Sequence, residues 1–155
     1  MDAEAEAEEL LLDAVIGPTK IPLYTFGVRL GVRMQPTRTH ERASEVALDP
    51  GAAAEVFSDV IEHLGRKVRG EIEPGGMRAT LRGLITTSPV TKIPAVVDVV
   101  LEPRPGGGSR VTVRTTAKQS LAQRHVAVKA AQRLLDTYEQ ATAAPPPALS
   151  PEESA

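Results

Sequence analysis

The 155-residue chain has no cysteine and no tryptophan, and its aromatic side chains are only Tyr24, Phe26, Phe57 and Tyr138. Without cysteine there can be no disulfide, no thiol chemistry and no cysteine-based zinc site. With so few aromatics, the interior has to be assembled from Val, Leu, Ile and Ala. The longest nearly apolar run, Leu10 to Gly17, is interrupted by Asp13 and is far too short to span a bilayer. The first residues are acidic where a secretory signal is basic, so export is not expected and the default location is cytoplasmic. Hydrophobic residues make up 41% and charged residues 25%, the balance of a globular chain with room for one domain and its tails.

The net charge of −2 conceals an asymmetry. Residues 1–13 hold six acids and the last residues add Glu152 and Glu153, so residues 14–151 carry 18 bases against 12 acids. A basic body with acidic ends has two readings. Either the acidic start only confers solubility, or it folds back over a basic surface and shields it.

Residues 1–8 alternate Ala with acids and read as a disordered tail, residues 9–141 as one α+β domain with its core in 23–141, and residues 142–155 as a Pro- and Ala-rich disordered tail. Glu9–Ile16 reads as a short helix stopped by Gly17 and Pro18. Tyr24 to Met34 alternates apolar and polar residues through a full strand. Thr39–Leu48 reads as a second strand with Ser44, Val46 and Leu48 on one face. Asp49 and Pro50 then announce a helix to Leu64, through a capping carboxylate and a proline where no N–H is needed. Its stripe is Ala53, Val56, Phe57, Val60, Ile61 and Leu64. Gly65 is expected to end it in the left-handed conformation. Lys67–Glu73 and Met77–Thr86 form a hairpin around Pro74-Gly75-Gly76, with Val68, Ile72, Met77, Ala79, Leu81 and Ile85 inward. Strands at Ala95–Glu102 and Ser109–Ala117 flank a glycine turn. A helix from about Ser120 to Gln140 follows, with Leu121, Val128, Ala131, Leu134, Leu135 and Tyr138 on one face. The fold class is therefore α+β: an antiparallel sheet of about five to six strands, packed by a central helix and a long C-terminal helix.

Two stretches, ASEVALDPGAAAEVFSDVIEHLG and VVDVVLEPRPGGGSRVTVRTTAKQSLAQRHVAVKAAQRLLDTYEQ, make the chain similar to the helix-grip domains of the START/Bet v1 (polyketide cyclase-like, SRPBCC) superfamily. The first is similar to the family's strand-to-helix opening, the second to its closing hairpin and long helix. Where that family usually has two short helices after its first strand, this chain has one. The resemblance implies a cavity between sheet and C-terminal helix for a hydrophobic small molecule or lipid, lined by Phe57, Ile61, Met77, Leu81, Val99, Val113, Val128 and Leu135. The same residues would equally make a dry, close-packed core.

Chemical groups are sparse. Asp98 interrupts the most apolar strand; facing a cavity it would be a perturbed acid, facing outward it would pair with an arginine. His40, His63 and His125 lack metal-ligand spacing, and no G-x-S-x-G motif is present. Gly106-Gly107-Gly108 leads into a strand, as a hairpin turn does, and not into the helix of a phosphate loop. No catalytic residue, metal or cofactor is indicated. The first reading is thus a non-catalytic module for an apolar ligand. The second rests on Arg29, Arg33, Arg69, Arg78, Arg82, Arg110 and Arg114, which all fall opposite the apolar positions of their strands. Such a face suits an acidic protein, nucleic acid or anionic lipid, or is simply solvated. Its lack of stacking aromatics argues against nucleic acid. Oligomeric state is not legible.

Overall fold

The computed structural model describes residues 3–16, 37–87, 93–118 and 125–143. The strand expected at Tyr24–Met34, with Arg29 and Arg33, lies outside them, as do Leu121 and residues 144–155 of the C-terminal tail, whereas Thr142, read as tail, is the last residue of a helix. In chain order the elements are α1 (Ala3–Ile16), β1 (Thr37–Val46), α2 (Pro50–Leu64), β2 (Gly65–Ile72), a 3-10 turn (Pro74–Gly76), β3 (Ala79–Thr86), β4 (Pro94–Pro103), β5 (Ser109–Lys118) and α3 (Val126–Thr142). The strands form one antiparallel sheet in the order β1-β5-β4-β3-β2. The α+β fold with its central and C-terminal helices is the helix-grip-like arrangement expected from the sequence.

α2 and α3 lie side by side on one sheet face, and α1 lies on the other, over β4 and β5. Strand alternation fixes what each face offers. Val97, Val99 and Leu101 of β4 and Val111, Val113 and Ala117 of β5 point under the two helices and are fully buried. The helices answer with Ala53, Phe57, Val60, Ile61 and Leu64 from α2, and Ala127, Ala130, Ala131, Leu134 and Tyr138 from α3. Phe57 stacks on Tyr138, ring centroids 4.1 Å apart and planes 12° from parallel, so the scarce aromatics meet where the helices touch.

Two close backbone approaches explain two glycines. α2 passes into β2 with no connecting residue, and Gly65 has φ of −179°, extended and not left-handed as expected. Glycine is required there because a Cβ would lie 1.9 Å from the Leu84 carbonyl oxygen. At Gly83, a Cβ would lie 2.2 Å from Ile61 Cγ2, so α2 rests almost on the β3 backbone. The α2 start also differs from expectation: the Asp49 side chain makes no cap, and its backbone carbonyl accepts from Ala53 N–H at 2.8 Å.

Other expectations need correction. Residues 3–8, read as a disordered tail, are the first turns of α1. Ala and Glu are strong helix formers, and the sheet supplies the packing that an isolated segment lacks. The last helix begins at Val126, after His125 in the left-handed conformation (φ 65°), and residues 119–124 lie outside the described ones. Met77 precedes β3, just after the 3-10 turn, and is 62% exposed; Ile72 is exposed too. Val68 sits at a β-bulge between Lys67 and Arg69, where alternation is broken. The glycine turn is as expected: Gly106, Gly107 and Gly108 all have positive φ, and Arg104 N–H donates to Gly108 O at 3.1 Å.

Candidate functional site

The space between sheet and helices is the first place to look for a site. Phe57, Ile61, Leu81, Val99, Val113 and Leu135 of the expected lining all join one core cluster there. Met77 does not, and Val128, 40% exposed, turns away to solvent. Open volume lies at the edges of this layer: Leu81 touches a cleft of about 340 Å³ between α2 and β2. A second cleft, of about 510 Å³, opens at the other end between the end of β1, the 47–49 bend, α2 and α3. Its walls are Val46, Leu48, Val56, Leu135 and Tyr138, and its rim carries Ser44, Glu45, Glu139 and Thr142. Of the expected lining residues only Leu135 reaches it.

Local chemistry holds the cleft open. Ser109 Oγ donates to Leu48 O at 2.6 Å and fixes the bend after β1. Gly108, where a Cβ would lie 2.5 Å from Val46 O, brings the β4–β5 turn against the same segment. Arg104 pairs with Glu45 at 3.1 Å, neutralising one rim carboxylate. Tyr138 forms the inner wall, and burial pushes its phenol above the ordinary value. On the far side of α3, Arg133 Nη1 donates to Thr86 O at 2.5 Å and Thr86 Oγ1 at 2.9 Å, tying the helix to β3. Arg42 donates to Gln132 and ties it to β1. Val46, Leu48, Val56 and Tyr138 were available to sequence reading as apolar positions, but their meeting at one end depends on the sheet order.

The outer face carries a different arrangement. One transverse row crosses all five strands: Glu41, Arg114, Asp98, Arg82 and Arg69, each directly opposite the next. Signs alternate until Arg82 meets Arg69, a like-charge pair that would repel. Asp98 takes the outward position and accepts from Arg82 Nε at 2.6 Å and Nη2 at 2.9 Å. Arg82 is only 5% exposed, not the solvated residue expected of this face. Its hydrogen bonds and charge pairing with Asp98 raise its pKa, aided by Glu6, against the opposing cost of burial.

What covers it is α1. Glu6 Oε2 lies 3.1 Å from Arg69 and 3.3 Å from Arg82, bridging the two arginines. Arg82 Nη1 also donates to Ala3 O at 3.2 Å. Glu4 reaches Arg114 at 3.5 Å and Glu8 reaches Lys118 at 3.0 Å. Beneath them Ala7 and Leu11 pack on Val96, with Leu10 and Leu84 at the edge. The shielding reading of the acidic start is therefore the one realised. Arg110 lies further along β5, exposed, opposite Glu45 and Glu102, and Arg78 is exposed before β3. His40, His63 and His125 are dispersed, and no group of three potential metal ligands exists among the described residues. No helix among those residues is long and apolar enough to cross a membrane.

No family model matches the chain, and no curated protein matches it. Among solved structures it is similar to protein MLL2253 from Mesorhizobium loti, with 14% identity, a TM-score of 0.42, and coverage of 67% of this chain and 96% of that one. It is similar also to the crystal structure of Ara h 8.0201, with 15% identity, a TM-score of 0.38, and coverage of 68% and 97%. A third likeness is to CalU16 from Micromonospora echinospora, with 15% identity, a TM-score of 0.37, and coverage of 78% and 89%.

Proposed function

We propose that the domain is a non-catalytic binding module for a small, predominantly apolar molecule, held in the cleft between β1, α2 and α3. The observation that carries this reading is the cleft itself: about 510 Å³, walled by Val46, Leu48, Val56, Leu135 and Tyr138. That volume falls within the range of small-molecule sites, and an apolar wall with a few polar groups at the rim is their usual composition. Glu139 at the rim, with Glu45 already paired to Arg104, favours a ligand with a neutral polar end over one with a carboxylate.

The test uses Nile red, a neutral apolar dye, titrated into the full chain. The expected result is saturable one-to-one fluorescence enhancement, weakened about tenfold or more in Val56→Trp, which fills the cleft, with the melting temperature retained. A wild-type chain that gives no saturable signal sinks the reading, and so does equal binding by the variant.

A further inference from the structure

The outer face lies away from the proposed cleft and is independent of it. We infer that it is a docking site for an acidic amphipathic helix of a partner protein, and that α1 occupies it as a built-in competitor.

The seat has the features of a recognition site and not merely of a wet sheet surface. Its cations are arranged around an apolar strip formed by Val96 and Leu84. Arg82 and Lys118 are buried beneath the helix, which water-facing cations on an open sheet are not. Lys118 Nζ is oriented by Thr37 Oγ1 at 2.8 Å while it meets Glu8. Arg82 is held in place by the two-pronged Asp98 contact, which leaves Nη1 directed at the helix. The Arg82–Arg69 opposition is a vacancy in the alternating charge row that a carboxylate from outside the sheet completes.

The occupant's chemistry follows from α1. It presents acids at positions 4, 6 and 8, small alanines between them that allow close approach, and Leu11 one turn beyond Ala7. A partner segment with that pattern would meet the same cations and strip. α1 is also built to leave. Its apolar contact with the sheet is confined to Ala7 and Leu11 against Val96, with Leu10 and Leu84 at the edge, although Leu12 is fully buried too. Two of its ion pairs rest on half-open arginines, Arg69 at 57% and Arg114 at 46% side-chain exposure, where solvent and salt weaken them. A cover that rests in part on screened charges opens more readily than the sheet beneath it.

The experiment uses the full chain and a fluorescent peptide of residues 1–16. In Glu4→Lys/Glu6→Lys/Glu8→Lys the resident helix is repelled from its seat. Leu11→Asp opens the face by a different route, through loss of the apolar contact. Either variant is expected to bind the peptide about tenfold or more tightly than the wild-type chain does, and the affinity falls as salt rises. Adding Arg69→Glu and Arg114→Glu to either opened variant abolishes binding. Failure of both opened variants to take the peptide, while circular dichroism shows the sheet intact, overturns the inference. Equal binding by wild-type and opened chains also overturns it, since α1 would then not compete. A wild-type dimer that becomes monomeric in Leu11→Asp overturns it as well, because the occupant would be the helix of a second copy.

Discussion

Arg82 and Asp98 face each other across β3 and β4 in a two-pronged pair, with Nε–Oδ1 at 2.6 Å and Nη2–Oδ2 at 2.9 Å. The pair lies under α1 and not in open solvent, so its loss has a cost that surface ion pairs lack. Asp98→Leu strands a nearly buried guanidinium, with Glu6 as its remaining acidic partner among the described residues, and should destabilise by about 2–4 kcal/mol. Arg82→Met added to Asp98→Leu should recover much of that loss, because no charge then remains desolvated. Urea midpoints of the single and double variants measure both effects. A double variant less stable than Asp98→Leu alone contradicts the account.

Gly83 and Ile61 are a steric pair. Gly83→Ala would bring a methyl to 2.2 Å from Ile61 Cγ2, an overlap that should cost about 1–3 kcal/mol. Ile61→Ala alone should cost about 2–5 kcal/mol through a cavity in the core. Combined, the two should cost clearly less than their sum, since the new methyl partly fills the space that the truncation leaves. Thermal or urea unfolding of the four chains reads out the coupling, and strict additivity would count against it.

Burial raises the Tyr138 phenol above its ordinary value. The folded state therefore keeps its proton at a pH where the unfolded chain has begun to lose it. The contribution is fully present below about pH 10, the value for a free tyrosine, and is lost as pH rises through the folded value. In a Tyr24→Phe chain, where Tyr138 is the only tyrosine, near-ultraviolet titration should show phenolate appearing later than in a denatured control. Coincident titration curves would exclude the buried wall described for the cleft.

Met77 and Val128 were expected in the interior and are exposed. Met77→Asp and Val128→Lys should each change stability by about 0.5 kcal/mol or less. Leu134→Ala, at a fully buried position of α3, should cost about 2–5 kcal/mol. A loss above about 2 kcal/mol from either exposed position would mean that the side chain packs on something the interior reading had right.

These contrasts show where the sequence is informative. The stripe of α2 needs only helical spacing, and Phe57, Val60 and Ile61 are buried as it implies. In α3 the same reasoning slips at its margin. Val128 lies about 20° further round the helix than Leu135, which is itself at the edge of the buried face, so a seven-residue spacing carries one residue in and the other out. At Met77 the apparent alternation runs past the true strand start, because the 3-10 turn has no period of two. The cleft was out of reach because Val46, Val56 and Leu135 meet only once β1 is set beside β5. Strand alternation puts Arg82 on the outer face but cannot say what covers that face. The partners of Arg82, Ala3 and Glu6, lie far back in the chain, in a segment whose alternating Ala and Glu give only a weak apolar side to declare it.

The cover on the outer face also bears on the order of assembly. Glu4 and Arg114 are separated by 110 positions, as are Glu8 and Lys118, so the helix made first waits for the strand made last. Contacts of such long separation form late, after the closure entropy of the intervening chain has been met by the sheet itself. A nascent chain would thus display its bare cationic strip, with Val96 and Leu84 uncovered, until β5 is complete. Once β5 is in place α1 covers the strip by being tethered to it, and that local concentration is what a competing partner segment has to overcome.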